Sequence, residues 1–196
     1  MKTLGIAILA AGMALCACAE GPGEVPLSSP SRNLTVADVG FGRLAELAGT
    51  RWRGEPGDAD KAHGQPPDYA EWYWDLGGKA LVSRHVIEDG SYGGVTYYQT
   101  TPMPGELTFT YITSARFQTT GTILLHEDGS WSSEEDLTGL DHIDKIRSTG
   151  RLNEDGTMST LSEFHDPEAG WQPGHTFVYR RTDMPLPDLV PDKAPE

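Results

Sequence analysis

The stretch Glu71-Trp-Tyr-Trp-Asp-Leu-Gly-Gly-Lys-Ala-Leu-Val-Ser-Arg-His-Val-Ile-Glu-Asp-Gly90 decides the fold. Residues alternate with period two on both sides of Gly77-Gly78, the pattern of a half-buried strand pair joined by a tight turn. A two-residue turn there sets Trp74 opposite Leu81, Trp72 opposite Ser83 and Ala70 opposite His85. A second two-residue turn at Asp89-Gly90 sets His85 opposite Gly94, Ser83 opposite Thr96 and Leu81 opposite Tyr98. Paired residues share a sheet face. One face therefore collects Trp72, Trp74, Leu81, Ser83, His85, Ile87, Thr96 and Tyr98. The other carries the charge, at Glu71, Asp75, Arg84 and Glu88. The face with little charge is the interior.

Outward from this double hairpin the same grammar continues. Asp128-Gly129 and Asp155-Gly156 repeat the signal of a type I′ turn, which takes positive φ at both centres. Residues 102–105 and 114–116 read as longer loops. Strands are expected at 50–55, 69–76, 79–88, 91–101, 106–113, 117–127, 130–138, 143–152, 157–165 and 174–182. Consecutive antiparallel strands leave two exposed edges, and closure removes them. The expected fold is all-β, an antiparallel up-and-down barrel of about ten strands. A short helical turn from Phe41 to Ala48 precedes a first strand carrying Trp52, which should close against the last strand. Extending the parity adds Leu107, Phe109, Tyr111, Phe117, Ile123 and Leu125 to the interior. A two-residue turn at Asp128-Gly129 would point Ser132, Glu134 and Asp136 inward; a bulge or longer turn would correct this. The inward face of the later strands stays open.

The termini read differently. Residues 1–18 hold Lys2 and a short apolar run from Leu4 to Leu15, too short to span a bilayer. The run ends in Leu15-Cys16-Ala17-Cys18, which resembles the lipobox of bacterial lipoproteins. That resemblance implies a signal peptide, Cys18 as the lipidated residue and an anchor in the bacterial envelope. With no Asp after Cys18 it implies the periplasmic face of the outer membrane. Residues 19–38, with Pro22, Pro26 and Pro30, read as a flexible tether, 39–183 as the barrel, and 184–196 as a Pro-rich tail that cannot continue a strand. Both cysteines fall in the first segment, so the barrel has no disulfide. The chain carries 15 Lys and Arg against 29 Asp and Glu, a formal net charge of -14. Such a surface argues against nucleic acid and against charge-driven binding to anionic lipid. Oligomeric state is not legible.

Gly49-Thr-Arg-Trp52, the late Arg180-Arg181 and the meander together resemble the calycin superfamily, in particular small bacterial lipocalin-like barrels. The resemblance implies a barrel with an internal cavity, and structural closure by Gly49, Trp52 and Arg181 at its base. Gly49 and Trp52 stand one residue further apart than in that pattern.

The loops sort by barrel end. Residues 56–68, 89–90, 114–116, 139–142 and 166–173 share one end with His63, His142 and His165, and His85 and His175 lie a few residues down adjoining strands. Long loops rim a binding mouth more often than a base. Trp72, Trp74, Ser83, His85, Tyr98, Phe109, Tyr111 and Phe117 form the candidate ligand-binding set, an apolar wall with a few polar handles. The expected function is binding of a small, largely apolar molecule. An isomerase or lyase using His85 as acid or base, and a filled barrel that docks a protein partner, are the alternatives. No metal is assigned. His63, His142 and His165 are the only candidate cluster, and no histidine pair has HxH or HExxH spacing. No cofactor is assigned either, although ten-stranded haem barrels similar to nitrobindin use a histidine near their last strand, where His175 stands. No nucleophile elbow or phosphate loop occurs.

Overall fold

The computed structural model describes residues 40–191. The lipobox, Cys18, the tether and the last five residues of the tail lie outside the described residues. Ten strands follow a 3₁₀ segment, Gly42–Leu47: β1 (Thr50–Pro56), β2 (Asp68–Asp75), β3 (Ala80–Ile87), β4 (Gly93–Thr100), β5 (Glu106–Thr113), β6 (Gln118–Leu125), β7 (Ser130–Thr138), β8 (Lys145–Leu152), β9 (Met158–Asp166) and β10 (Gly170–Arg181). Each pairs antiparallel with its neighbour, and β1 pairs with β10, so the sheet is a closed up-and-down barrel.

The base is closed by burial. The 3₁₀ segment and the residue before it send Phe41, Leu44 and Leu47 into the barrel, each at most 1% exposed. Phe41 meets Trp74 edge to face at 5.0 Å between centroids. Trp52 is 1% exposed, pairs in register with Arg181 across the seam, and lies under that guanidinium at 5.2 Å. Truncating a buried Trp costs about 3–5 kcal/mol, against about 0.5–1 kcal/mol for an exposed cation–π contact. The plug therefore rests on Trp52 and only trims its energy through Arg181.

Strand register follows the expectation through the first two hairpins. Trp74 faces Leu81, Ala70 faces His85, and His85 faces Gly94. The turns themselves differ from type I′. Among the described residues only Leu76 and Arg116 have positive φ without being glycine, so Asp89, Asp128 and Asp155 do not. Each aspartate instead accepts a hydrogen bond from the backbone N–H two residues on, at Ser91, Ser130 and Thr157. This Asx geometry is cheaper than holding a carboxylate residue at positive φ, and the glycine alone takes the left-handed position. The loops at Gly77-Gly78 and Asp89-Gly90 each hold four residues, which preserves the parity of a two-residue turn. Those at Asp128-Gly129 and Asp155-Gly156 hold three, closed by His126 N–H to Ser130 O and Asn153 N–H to Thr157 O. Odd loops flip the following strand. Leu125 consequently faces Trp131 and Gly121 faces Glu135, so Trp131, Ser133, Glu135 and Leu137 share the inward parity, and Ser132, Glu134 and Asp136 point outward.

Two boundaries also differ. The long connection contains a short helix, α1 (Asp58–Ala62), with Asp58 and Asp60 in its first turn. β10 begins at Gly170 rather than 174, with a register shift between Pro173 and Thr176 that absorbs the proline. Beyond β10 the Pro-rich tail returns toward the mouth. Val190 N–H donates to Gly90 O at 2.9 Å, and Leu189 reaches the backbone of Gly93. On the outer face of β3, Val82 and Val86 are fully buried.

Candidate functional site

Above the plug the barrel is hollow. A cavity of about 670 Å³ opens among the mouth loops, where Gln65, Leu140 and Ile143 border it, and descends to Ile123, Trp131 and Met158. Its two walls differ in chemistry.

The wall made by β2 to β5 is aromatic and hydrogen-bonded. Seven of the eight expected residues line it: Trp72, Ser83, His85, Tyr98, Phe109, Tyr111 and Phe117. Trp74 does not. It sits one pleat lower, where the 3₁₀ segment supplies Phe41 as its partner and the plug takes the space. Trp72 stacks on Tyr98 at 5.5 Å and Tyr98 leans on Phe109 at 6.0 Å. The Trp72 indole N–H is buried without a partner. Burial pushes the Tyr98 hydroxyl up, with hydrogen bonding to Ser83 and Thr96 opposing.

His85 is the centre of a chain of hydrogen bonds. Its Nδ1 lies 2.9 Å from Asp68 Oδ1 and its Nε2 lies 2.7 Å from the Tyr111 hydroxyl. The Tyr92 and Tyr111 hydroxyls meet at 2.5 Å, and the Tyr179 hydroxyl donates to Asp68 Oδ2 at 2.7 Å. With the Asp68 carboxylate able only to accept, Nδ1 is the donor to it. In the neutral ring Nε2 then accepts from Tyr111, whose oxygen accepts from Tyr92. Burial is the largest influence on all three tyrosines. It pushes Tyr92 up to about 12 and raises Tyr111 and Tyr179 well above the ordinary range. The hydroxyls therefore hold their protons and serve as donors.

Glycines make room for two of these rings. A Cβ at Gly94 would stand 2.3 Å from the Tyr111 ring, and one at Gly54 would stand 2.5 Å from Tyr179. Asp68, Tyr92 and Tyr179 are site residues that the sequence reading missed. Asp68 falls in the expected long connection, and Tyr92 stands opposite the inward Ile87 across the Asp89-Gly90 turn, the signal that marks its face. Tyr179 stands in register with Gly54 across the seam, and an aromatic facing a strand glycine was the signal that could have found it.

The opposite wall, β6 to β9, is built from smaller side chains: Ser133, Ser148, Thr160 and Ser162, with Trp131 below and Leu137, Ile146 and Phe164 above. Gly150 lies under the Trp131 ring, where a Cβ would come within 2.2 Å. The one carboxyl on this wall is Glu135, 9% exposed, which accepts from the Thr119 hydroxyl. Burial pushes it up to about 7, opposed by that hydrogen bond.

The remaining histidines take separate places. His165 Nδ1 lies 2.6 Å from Asp144 and its ring meets Trp171 edge-on. His63 is exposed at the end of α1, and His142 is exposed in the β7–β8 loop. No group of three His, Cys, Asp or Glu side chains able to hold a metal forms among the described residues. His175 lines the mouth of the cavity beside Phe177 and Phe164, with Nδ1 2.9 Å from Asp60 of α1. Glu71 faces Arg84 on the outer surface and also meets Arg51 at 3.6 Å, a cross-strand pair outside the cavity.

No family model and no curated protein matches the chain. Among solved structures it is similar to Rv2717c from M. tuberculosis, with a TM-score of 0.50 and 14% identity, over 76% of this chain and 99% of that one. At this identity the likeness is one of fold.

Proposed function

We propose that the chain is an envelope lipoprotein, anchored through Cys18, whose lipocalin-like barrel binds a small, largely apolar molecule. The observation that carries the binding reading is the open cavity of about 670 Å³, walled by aromatic rings and reached from the loop end. Ligand pockets of this size are mostly apolar, with a few convergent polar groups. The Tyr111–His85–Asp68 chain and the unpartnered Trp72 N–H are such groups. The lipobox resemblance supports the anchor. Native mass spectrometry of the chain purified from its own host tests the binding reading. A retained small molecule, lost when Ser148→Phe fills the cavity, is the expected result. Repeated empty spectra, with no change on filling, would refute it.

One observation favours a second reading, haem held by His175. A metal-binding histidine usually gives its other ring nitrogen to a carboxylate, and Asp60 occupies His175 Nδ1 at the cavity mouth. Haem would supply a redox-capable iron. His175 would ligate it, Asp60 would orient the ring, and Phe164 and Phe177 would shield it. Absorbance in the Soret region after haem titration, abolished by His175→Ala, tests this.

A further inference from the structure

The cavity is one-signed. Among the described residues that line it there is no lysine or arginine, and its ionisable side chains are Asp68, Glu135, His85, His175 and tyrosines. Asp68 is already engaged by His85 and Tyr179. Glu135 has only the Thr119 hydroxyl. The strands beside it offer no cation: in register stand Gly121 on β6 and Ile146 on β8. Across the cavity the titratable groups are Asp68, His85, Tyr92, Tyr98, Tyr111, Tyr179 and His175. The two histidines are paired with Asp68 and Asp60. Gly121 keeps the place open, since a Cβ there would come 2.8 Å from that of Glu135.

Aromatic rings wall the cavity that holds this carboxyl, with Trp72 stacked on Tyr98, Tyr92 stacked on Phe117, and Trp131 below. Ring faces are negative and attract cations, more strongly where water is excluded. The chain as a whole carries a formal charge of -14, which draws cations toward such a mouth and repels anions. All these effects share one sign.

We infer that the ligand is a hydrophobic cation, a protonated or quaternary amine on an apolar body, whose head pairs with the Glu135 carboxylate between aromatic faces. This rests on the small-molecule reading above and narrows it. Burial without a basic partner holds the Glu135 acid up to about 7. A bound ammonium supplies the missing partner and pulls the acid down. Near that pH, binding therefore ionises Glu135, and its proton leaves to solvent. Uncharged and anionic ligands have no such effect.

The test compares benzyltrimethylammonium with its uncharged carbon isostere, neopentylbenzene, and with phenylacetate, by calorimetric titration of the intact chain. At pH 8 the ammonium should bind at least tenfold tighter than the isostere, and phenylacetate weakest. The preference should shrink several-fold at pH 5.5 and disappear in Glu135→Gln. Titration of the unaltered chain at pH 6.5, in buffers of different ionisation enthalpy, should show proton release on binding the ammonium and none with the isostere. This readout needs no variant to fold. Equal binding of ammonium and isostere, or a preference that survives Glu135→Gln, overturns the cation and leaves the cavity reading standing. Binding of none of the three probes overturns both.

Discussion

The hairpins at Asp89-Gly90 and Asp128-Gly129 share a dipeptide and an Asx-capped aspartate, yet the first closes over four residues and the second over three. That single residue separates the two walls. Where the loop is even, β3 and β4 put His85, Thr96 and Tyr98 inside, and the polar groups there are tied into a chain of partners. Where it is odd, the inward parity falls on Ser133 and Glu135, small or solitary groups that leave space and an unmatched charge. On one wall the polar side chains partner each other, the Trp72 indole N–H excepted; on the other the Glu135 carboxyl has a single neutral partner.

The most severe way to break this contrast is to give the solitary wall a second unmatched charge. Trp131→Glu removes a ring only 9% exposed, a loss of about 3–5 kcal/mol for truncation alone, and sets a carboxyl where Leu125 and Gly150 stand in register and offer no cation. Together these approach the stability of an ordinary domain, so cooperative thermal unfolding should be nearly abolished. A normal melt would show that this wall tolerates an unpartnered charge.

The satisfied wall should be damaged by loss of a partner. Asp68→Ala strands the Tyr179 hydroxyl and His85 Nδ1, at about 3 kcal/mol for two charge-assisted bonds. Chemical denaturation should show a fall of that order. The solitary wall should respond with the opposite sign. Burial holds the Glu135 acid up to about 7 against an ordinary 4.5, so the folded state keeps its proton between these values. Its contribution to stability is present below pH 4.5 and is lost as pH rises to 7 and beyond, by up to about 3 kcal/mol. Glu135→Leu should therefore stabilise the chain at pH 8, change it little at pH 4.5, and flatten the slope between. A mutant that destabilises at pH 8 would contradict the unmatched-charge account.

Smaller again is the effect of Gly90→Ala. Gly90 has φ +73°, and a Cβ there would stand 2.3 Å from the Asp188 carbonyl oxygen. The cost to the barrel is about 1 kcal/mol. The sharper readout is proteolysis of the released tail, with β7 unaffected.

The sequence exposes the barrel and one wall because period-two alternation survives in β2 to β6 and the loops there leave parity intact. Trp72, His85 and Tyr111 could be placed inward from spacing alone. Glu135 could not, since an Asp-Gly pair does not reveal whether the residue before it belongs to the loop. Trp131 and Leu137 share its parity and, being apolar, were the clue that the turn was longer. Asp68 flanks a strand, where alternation carries no information, whereas Tyr92 shares the inward face of Ile87 opposite it. Trp74 was read correctly as inward but misplaced in height, because alternation fixes a face and says nothing of how far the plug reaches.

The seam between β1 and β10 has a kinetic meaning. Trp52 pairs with Arg181, so the ring is a contact of high order that forms only once every strand between them is made. A chain truncated before Gly170 leaves β1 and β9 as two bare edges. Synthesis or transport that delivers this protein piecemeal would hold an open, self-adhesive sheet until the last strand arrives.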